Sequence, residues 1–179
     1  MKTIKYLMIG ALMISIYAPI SAQEDHKAII EQVTNIIKAK GANADKQVKD
    51  IFKANKKNAD VLTAIGRAYL DIKDTANAQI YTDLAIARDK HYGDAYVLAG
   101  DIEAFKDNGG AASGWYEQAT YFDPKNPNGY RRYAQVNSKV SPASSVAKLE
   151  ELRKQRPDYP VDIISAEIYD RAGNISKAL

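Results

Sequence analysis

From residue 59 onward, apolar residues return at helical spacing, and the spacing itself recurs. Leu62, Ile65, Tyr69 and Ile72 fall at i, i+3, i+7 and i+10, one face of a helix. Asn58 is placed to cap that helix, and Asp60 puts a carboxylate in its first turn. The polar Lys73-Asp74-Thr75 then turns the chain, with Asp74 as the cap of a second helix that carries Ala78, Tyr81, Leu84 and Ala85 inward. The scheme returns 34 residues later: Ile65-Gly66 becomes Ala99-Gly100, Ala78 becomes Ala112, Ala85 becomes Ala119, and aromatic Tyr81 becomes aromatic Trp115. Asp60 and Asp89 recur as Asp94 and Asp123. A fixed period of this size is the mark of stacked helix pairs.

The second unit turns at Lys106-Asp107-Asn108-Gly109-Gly110, shows Ala112, Trp115, Tyr116 and Ala119 on its inner face, and stops at Asp123-Pro124. Pro127 opens a third, with Tyr130, Tyr133 and Ala134 in register with Tyr96, Ala99 and Gly100. Ser141-Pro142 reads as a cap and a first-turn proline, and Val146, Leu149 and Leu152 form the face that follows. Pro160 starts another helix with Ile163, Ile164, Ile168 and Tyr169, and Ala172-Gly173-Asn174 turns it. Ser176 to Leu179 reads as the first turn of its partner. One turn cannot cover an apolar face, so the expectation is a longer array with this last unit incomplete. Before residue 59, Ile29, Ile30, Val33, Ile36 and Ile37, then Val48, Ile51 and Phe52, mark a divergent helix pair or cap. The expected layout is therefore 23–58, 59–92, 93–126, 127–158 and a partial 159–179.

The first residues differ. Lys2 and Lys5 precede the uncharged run Leu7 to Ile20, and Ser21-Ala22 leads into the polar Gln23-Glu24-Asp25. This predicts a signal peptide over residues 1–22, cleaved between Ala22 and Gln23. As a membrane anchor the run would reach only about 21 Å, against about 30 Å of hydrocarbon. Two of the 25 Lys and Arg, and none of the 22 Asp and Glu, precede residue 23, so the remainder carries a net charge of +1. That balance removes any argument for nucleic acid or a membrane surface. No cysteine is present, so neither disulfides nor a lipid-anchored N-terminus is expected, which favours a bacterial periplasm among exported locations.

Leu62-x2-Ile65-Gly66-x2-Tyr69, Ala112-x3-Tyr116 and Pro124 resemble the pattern of the tetratricopeptide repeat (TPR) family. The resemblance implies an all-α fold, a right-handed superhelical solenoid of antiparallel helix pairs, with about four to five units. Gly66, Gly100 and Ala134 are small where each first helix nears its partner. Glu103, Thr82 and Asn137 depart from the pattern's aromatic positions. The resemblance also implies that first helices line a concave face. Its candidate partner-binding residues are Asp60, Thr63 and Arg67, then Asp94, Val97 and Asp101, then Asn128, Arg131 and Gln135, a surface passing from mixed to acidic to basic-polar. Thr63, Leu98 and Asn128 occupy positions where some relatives clamp a C-terminal carboxylate, and only Arg132 fits that role.

No catalytic constellation is present. His26 and His91 are the only histidines and are 65 residues apart; Gly109-Gly110 has no phosphate-loop Lys-Ser/Thr after it. No metal or cofactor is expected. Of the ten tyrosines after residue 22, Tyr92, Tyr121 and Tyr159 lie near helix ends and are not explained by repeat packing. Two functions remain. One is a non-enzymatic scaffold of the cell envelope that binds a peptide or protein segment; the other is a small-ligand or glycan-binding accessory of an envelope uptake system.

Overall fold

The computed structural model describes residues 22–39, 41 and 43–174, with side chains from residue 27. The run Leu7–Ile20, the side chain of His26 and the turn Ser176–Leu179 lie outside the described residues. Among those described, every regular element is an α-helix: α1 (Ala22–Ala39), α2 (Ala44–Asn55), α3 (Ala59–Asp71), α4 (Thr75–Arg88), α5 (Gly93–Phe105), α6 (Gly109–Phe122), α7 (Pro127–Asn137), α8 (Pro142–Gln155) and α9 (Val161–Arg171). From α3 on, each odd helix packs on the helix that follows it and on the next odd helix, so the pairs stack into an all-α solenoid. The N-terminal pair is different: α1 leans more on α3 than on α2.

Side chains and turns set the helix boundaries. The Asn58 side chain accepts from the backbone N–H of Asp60 at 3.0 Å, and that of Asp74 accepts from Asn77 at 3.0 Å. Asn108 and Asn126 cap α6 and α7 in the same way. Ser141 instead spends its hydroxyl on Ser144, so it starts α8 without a side-chain cap. The turn after α5 is shorter than expected, and the one after α3 falls one residue earlier, at residues 72–74. Gly109 and Gly110 belong to the first turn of α6, because the reversal is completed by Asp107 in the left-handed region at φ 59°. Lys73 does the same after α3 at φ 67°. Both ends show paired closing bonds, Asp74 N–H to Tyr69 O at 2.9 Å with Lys73 N–H to Leu70 O at 2.8 Å, and Asn108 N–H to Glu103 O at 2.9 Å with Asp107 N–H to Ala104 O at 3.1 Å. This closure is usually reserved for glycine.

Burial follows the repeat. Ile65, Ala78, Leu98 and Ile102 join Val33 and Val48 in one cluster. Tyr96, Ala112, Tyr116 and Ala119 form a second, Leu62, Ala85 and Ala95 a third, and Tyr130, Ala134, Leu149, Leu152, Val161 and Ile168 a fourth. The core is therefore a row of local clusters, not one centre. Gly66 meets the backbone of α4: a Cβ there would lie 3.2 Å from Ala78 O and 2.9 Å from Leu98 Cδ2. Gly100 faces the ring of Tyr116 closer still. Leu84, expected inward, and Ile163, one of the apolar residues that marked the last helix, both point out. Leu84 is 39% exposed because Tyr81 and Ala85 already fill the contact with α3 and α5, and Ile163 is 64% exposed on α9, where Val161 and Ile168 are the buried positions.

The departures from the aromatic pattern are each satisfied. Thr82, fully buried, returns its hydroxyl to Ala78 O at 2.7 Å. Glu103 accepts from Lys106 Nζ at 2.8 Å and Asn108 Nδ2 at 3.0 Å, and the Lys106 bond holds its carboxyl below the usual range. Asn137 donates to Ser113 Oγ at 2.8 Å and to Tyr133 O at 3.0 Å. Tyr92 is explained as well. Its hydroxyl donates to Asp60 Oδ1 at 2.6 Å, and burial, reinforced by that bond, raises its pKa. Tyr121 stays largely exposed, with its ring edge-to-face on Phe122. Tyr159 packs on the α7–α9 cluster with Arg156 over its ring.

Candidate functional site

The first helices α3, α5 and α7 lie side by side, and residues one helix turn apart on them line a common groove. Its volume is about 390 Å³, and its walls are Thr63 and Arg67 from α3, Asp94 and Val97 from α5, and Asn128, Arg131, Arg132 and Gln135 from α7. The 34-residue period produces this. Residues 63 and 97, 94 and 128, and 97 and 131 hold equivalent places on neighbouring helices, so each row of the repeat becomes a row across the groove.

Seven of the nine expected residues meet here: Thr63, Arg67, Asp94, Val97, Asn128, Arg131 and Gln135. Asp60 does not. It sits at the start of α3, lining two other depressions near α1 and the α2–α3 turn, and accepts the Tyr92 hydroxyl. Asp101 turns inward beneath the groove and is only 9% exposed. It forms an ion pair with Arg67 of α3 and another with Arg132 Nε of α7 at 3.2 Å, and it accepts the Tyr116 hydroxyl of α6 at 2.8 Å. One carboxylate thus ties together three consecutive helix pairs. Burial and the adjacent Asp101 charge raise the pKa of Tyr116, which keeps that hydroxyl a donor.

The middle of the groove is consequently not the acidic patch that the sequence suggests. Asp101 is spent on two guanidinium groups. Asp94 accepts from Asn126 Nδ2 at 3.1 Å and Asn128 Nδ2 at 2.8 Å. The Asp94–Asn126 bond spans the same 32-residue interval as the Asp60–Tyr92 bond one unit earlier, so the joint between units is kept with different chemistry. Arg131 is exposed and makes no hydrogen bond or ion pair within the described residues. Thr63 is buried at the groove wall with its hydroxyl unpartnered. Arg132, named from the sequence only as the residue that fits a clamp position and not among the nine, lines the groove beside Arg131 and pairs with Asp101. Leu98 is fully buried, so it cannot reach a ligand, and the clamp positions do not form a clamp.

Elsewhere the chemistry is sparse. Among the described residues, no group of three or more His, Cys, Asp or Glu could hold a metal ion, and no helix is long and apolar enough to cross a membrane. His91 is exposed and rests against Phe122, its Nδ1 3.3 Å from the Phe122 carbonyl.

No family model and no curated protein matches the sequence. Solved structures do match. MamA is 18% identical, with a TM-score of 0.57 over 91% of this chain and 90% of that one. TTC0263, a TPR protein of Thermus thermophilus, is 14% identical, with a TM-score of 0.58 over 86% of each chain. YrrB, described as a TPR protein with an unusual peptide-binding site, is 12% identical, with a TM-score of 0.53 over 90% of this chain and 89% of that one. Identities this low speak to architecture, and the architecture agrees with the 34-residue register and the stacked helix pairs: the chain has the tetratricopeptide-repeat fold.

Proposed function

We propose that this protein is a non-enzymatic interaction scaffold that binds a segment of a partner protein in the groove across α3, α5 and α7. The observation that carries this reading is the lining of the groove. It combines guanidinium and amide groups from consecutive units with the apolar Val97, and Arg131 and Gln135 are open to a ligand. Such a row of donors suits the carbonyls and side chains of an extended chain. A solved protein of the same fold, YrrB, is described as having a peptide-binding site. The glycan reading has less support, since among the described residues no aromatic ring lines the groove for a sugar to stack on. The scaffold belongs to the cell envelope in this proposal, on the strength of Lys2, Lys5, the run Leu7–Ile20 and the small residues before Gln23.

Site-specific photocrosslinking in the native host tests the groove. A crosslinker at Gln135 or Asn128 should capture one defined partner, and one at Ile80, exposed on α4, should not. Capture only from Ile80, or saturable sugar binding with no partner, would sink the proposal. N-terminal sequencing of the protein from a fractionated cell tests export: a mature chain starting at Gln23 supports it, and a cytoplasmic chain retaining Lys2 refutes it.

A further inference from the structure

The groove carries a charge imbalance at a defined place. It gathers three guanidinium groups, Arg67, Arg131 and Arg132, around two carboxylates, Asp94 and Asp101. Arg67 is engaged by Asp101. Arg132 touches Asp101 through Nε at 3.2 Å and Nη2 at 3.5 Å, which leaves its other N–H donors unspent on the groove side. Arg131, next to it and exposed, has no partner among the described residues. The surplus positive charge therefore lies at the α7 wall, and the Asp101 carboxylate below steadies Arg132 there. The neighbouring helix α5, between α3 and α7, shows the reverse polarity: Asp94, held by Asn126 and Asn128.

We propose that the groove selects an acidic side chain, an Asp or Glu within an extended segment of a partner protein, whose carboxylate sits on Arg131 and the free edge of Arg132. This rests on the groove being the binding site, and it adds the chemistry that the site prefers. Guanidinium groups are suited to carboxylates because their parallel N–H groups match the two oxygens. Gln135, one turn along α7 from Arg131, supplies an amide for the neighbouring backbone of the segment. Asp94 disfavours a second acidic residue at the α5 side, so the groove also reads direction along the segment. Asp101 is a positioning residue. It stands under Arg132 and does not contact the segment.

The test is an array of extended dodecapeptides, acetylated and amidated so that no terminal charge remains, probed with the full chain. Each peptide with one Glu is paired with its Gln analogue, and one subset carries a free C-terminal carboxylate and no acidic side chain. The expected result is about tenfold stronger retention of Glu peptides than of their Gln partners, a preference that fades with added salt. Arg131→Gln should abolish the preference, and Arg131→Lys should restore part of it. Gln peptides bound as well as Glu peptides, or a preference that survives Arg131→Gln, overturn the selectivity and leave the groove as a binding site. Retention only of free C-terminal carboxylates also overturns it. Retention of no peptide at all removes both this inference and the peptide-binding reading on which it rests.

Discussion

Removing the carboxylate of Asp101 should do more damage than its place on a polar groove suggests. Asp101→Ala deletes the acceptor of the Tyr116 hydroxyl and the counter-charge of Arg67 and Arg132. A hydrogen bond to a charged group contributes about 1.5–3 kcal/mol. The Arg67 side chain is 25% exposed, so its pair falls between surface and buried values and contributes about 1–2 kcal/mol. Arg132 is 48% exposed, and solvent screening limits its share to about 0.5 kcal/mol. The expected loss for Asp101→Ala is therefore about 3–5 kcal/mol. Asp101→Asn keeps an oxygen for Tyr116 and loses only the charge, so it should cost about 1–2 kcal/mol. Urea unfolding followed by circular dichroism reads both as shifts of the midpoint at constant slope. Equal losses for the two variants would mean that the Tyr116 bond contributes nothing. A loss below about 1 kcal/mol for Asp101→Ala would refute the idea that this carboxylate joins three units.

Other perturbations test the remaining joints. Gly100→Ala places a methyl group in the Tyr116 ring, and the strain of overpacking, partly offset by the better helix former, should lower stability by about 1–2 kcal/mol in the same urea assay. Lys73→Gly relieves a left-handed residue and should raise stability by about 0.5–1 kcal/mol after the added freedom of the unfolded chain is counted. Thr63→Val removes a buried hydroxyl without a partner and should raise stability by about 1 kcal/mol, read as a higher melting temperature. Alkaline pH should destabilise the fold. Burial holds Tyr69 up to about 12, and also raises Tyr81, Tyr92, Tyr96, Tyr116 and Tyr130, from an ordinary value of 10.0. Their contribution is complete below pH 10.0, where unfolded tyrosine is still neutral, and is lost as pH rises toward the folded values. Urea midpoints that stay level between about pH 9 and 11, once other titrating groups are matched in a Tyr69→Phe control, would contradict this.

Much of the architecture was legible because repetition amplifies weak signals. One match of Ala78 to Ala112 says little; Ala85 to Ala119 and Gly66 to Gly100 at the same offset impose stacking. The caps Asn58 and Asp74 were readable for a different reason: a cap acts within three residues, so it is written locally. The groove was partly legible. Its rows follow from the period, but the fate of each charge depends on what stands opposite it. Arg67 and Asp101 differ between the aligned units, which marks them as variable and invites a ligand role. The signal that they satisfy each other was present in their equivalent register with opposite charge, 34 residues apart on neighbouring helices. Arg132 was harder to place, because Arg131 beside it has the same chemistry and only the helix phase decides which one reaches Asp101. Leu84 and Ile163 failed for a related reason. Helical spacing marks a face, and it does not tell how wide a face the neighbouring helix covers.

The row of separate hydrophobic clusters has a consequence for how this protein changes over generations. A gene duplication or loss of one 34-residue segment adds or removes a helix pair with its own packing and its own joint, as at Asp60–Tyr92 or Asp94–Asn126, and no common centre must be rebuilt. Length is therefore a trait that selection can adjust in whole steps. The triad of Arg67, Asp101 and Arg132 resists such editing, since it needs three successive units in one order. Insertion of a unit between Arg67 and Arg132 would separate its members, while insertion after residue 137 would leave them together, so the groove is the segment of the array with an inherited sequence of parts.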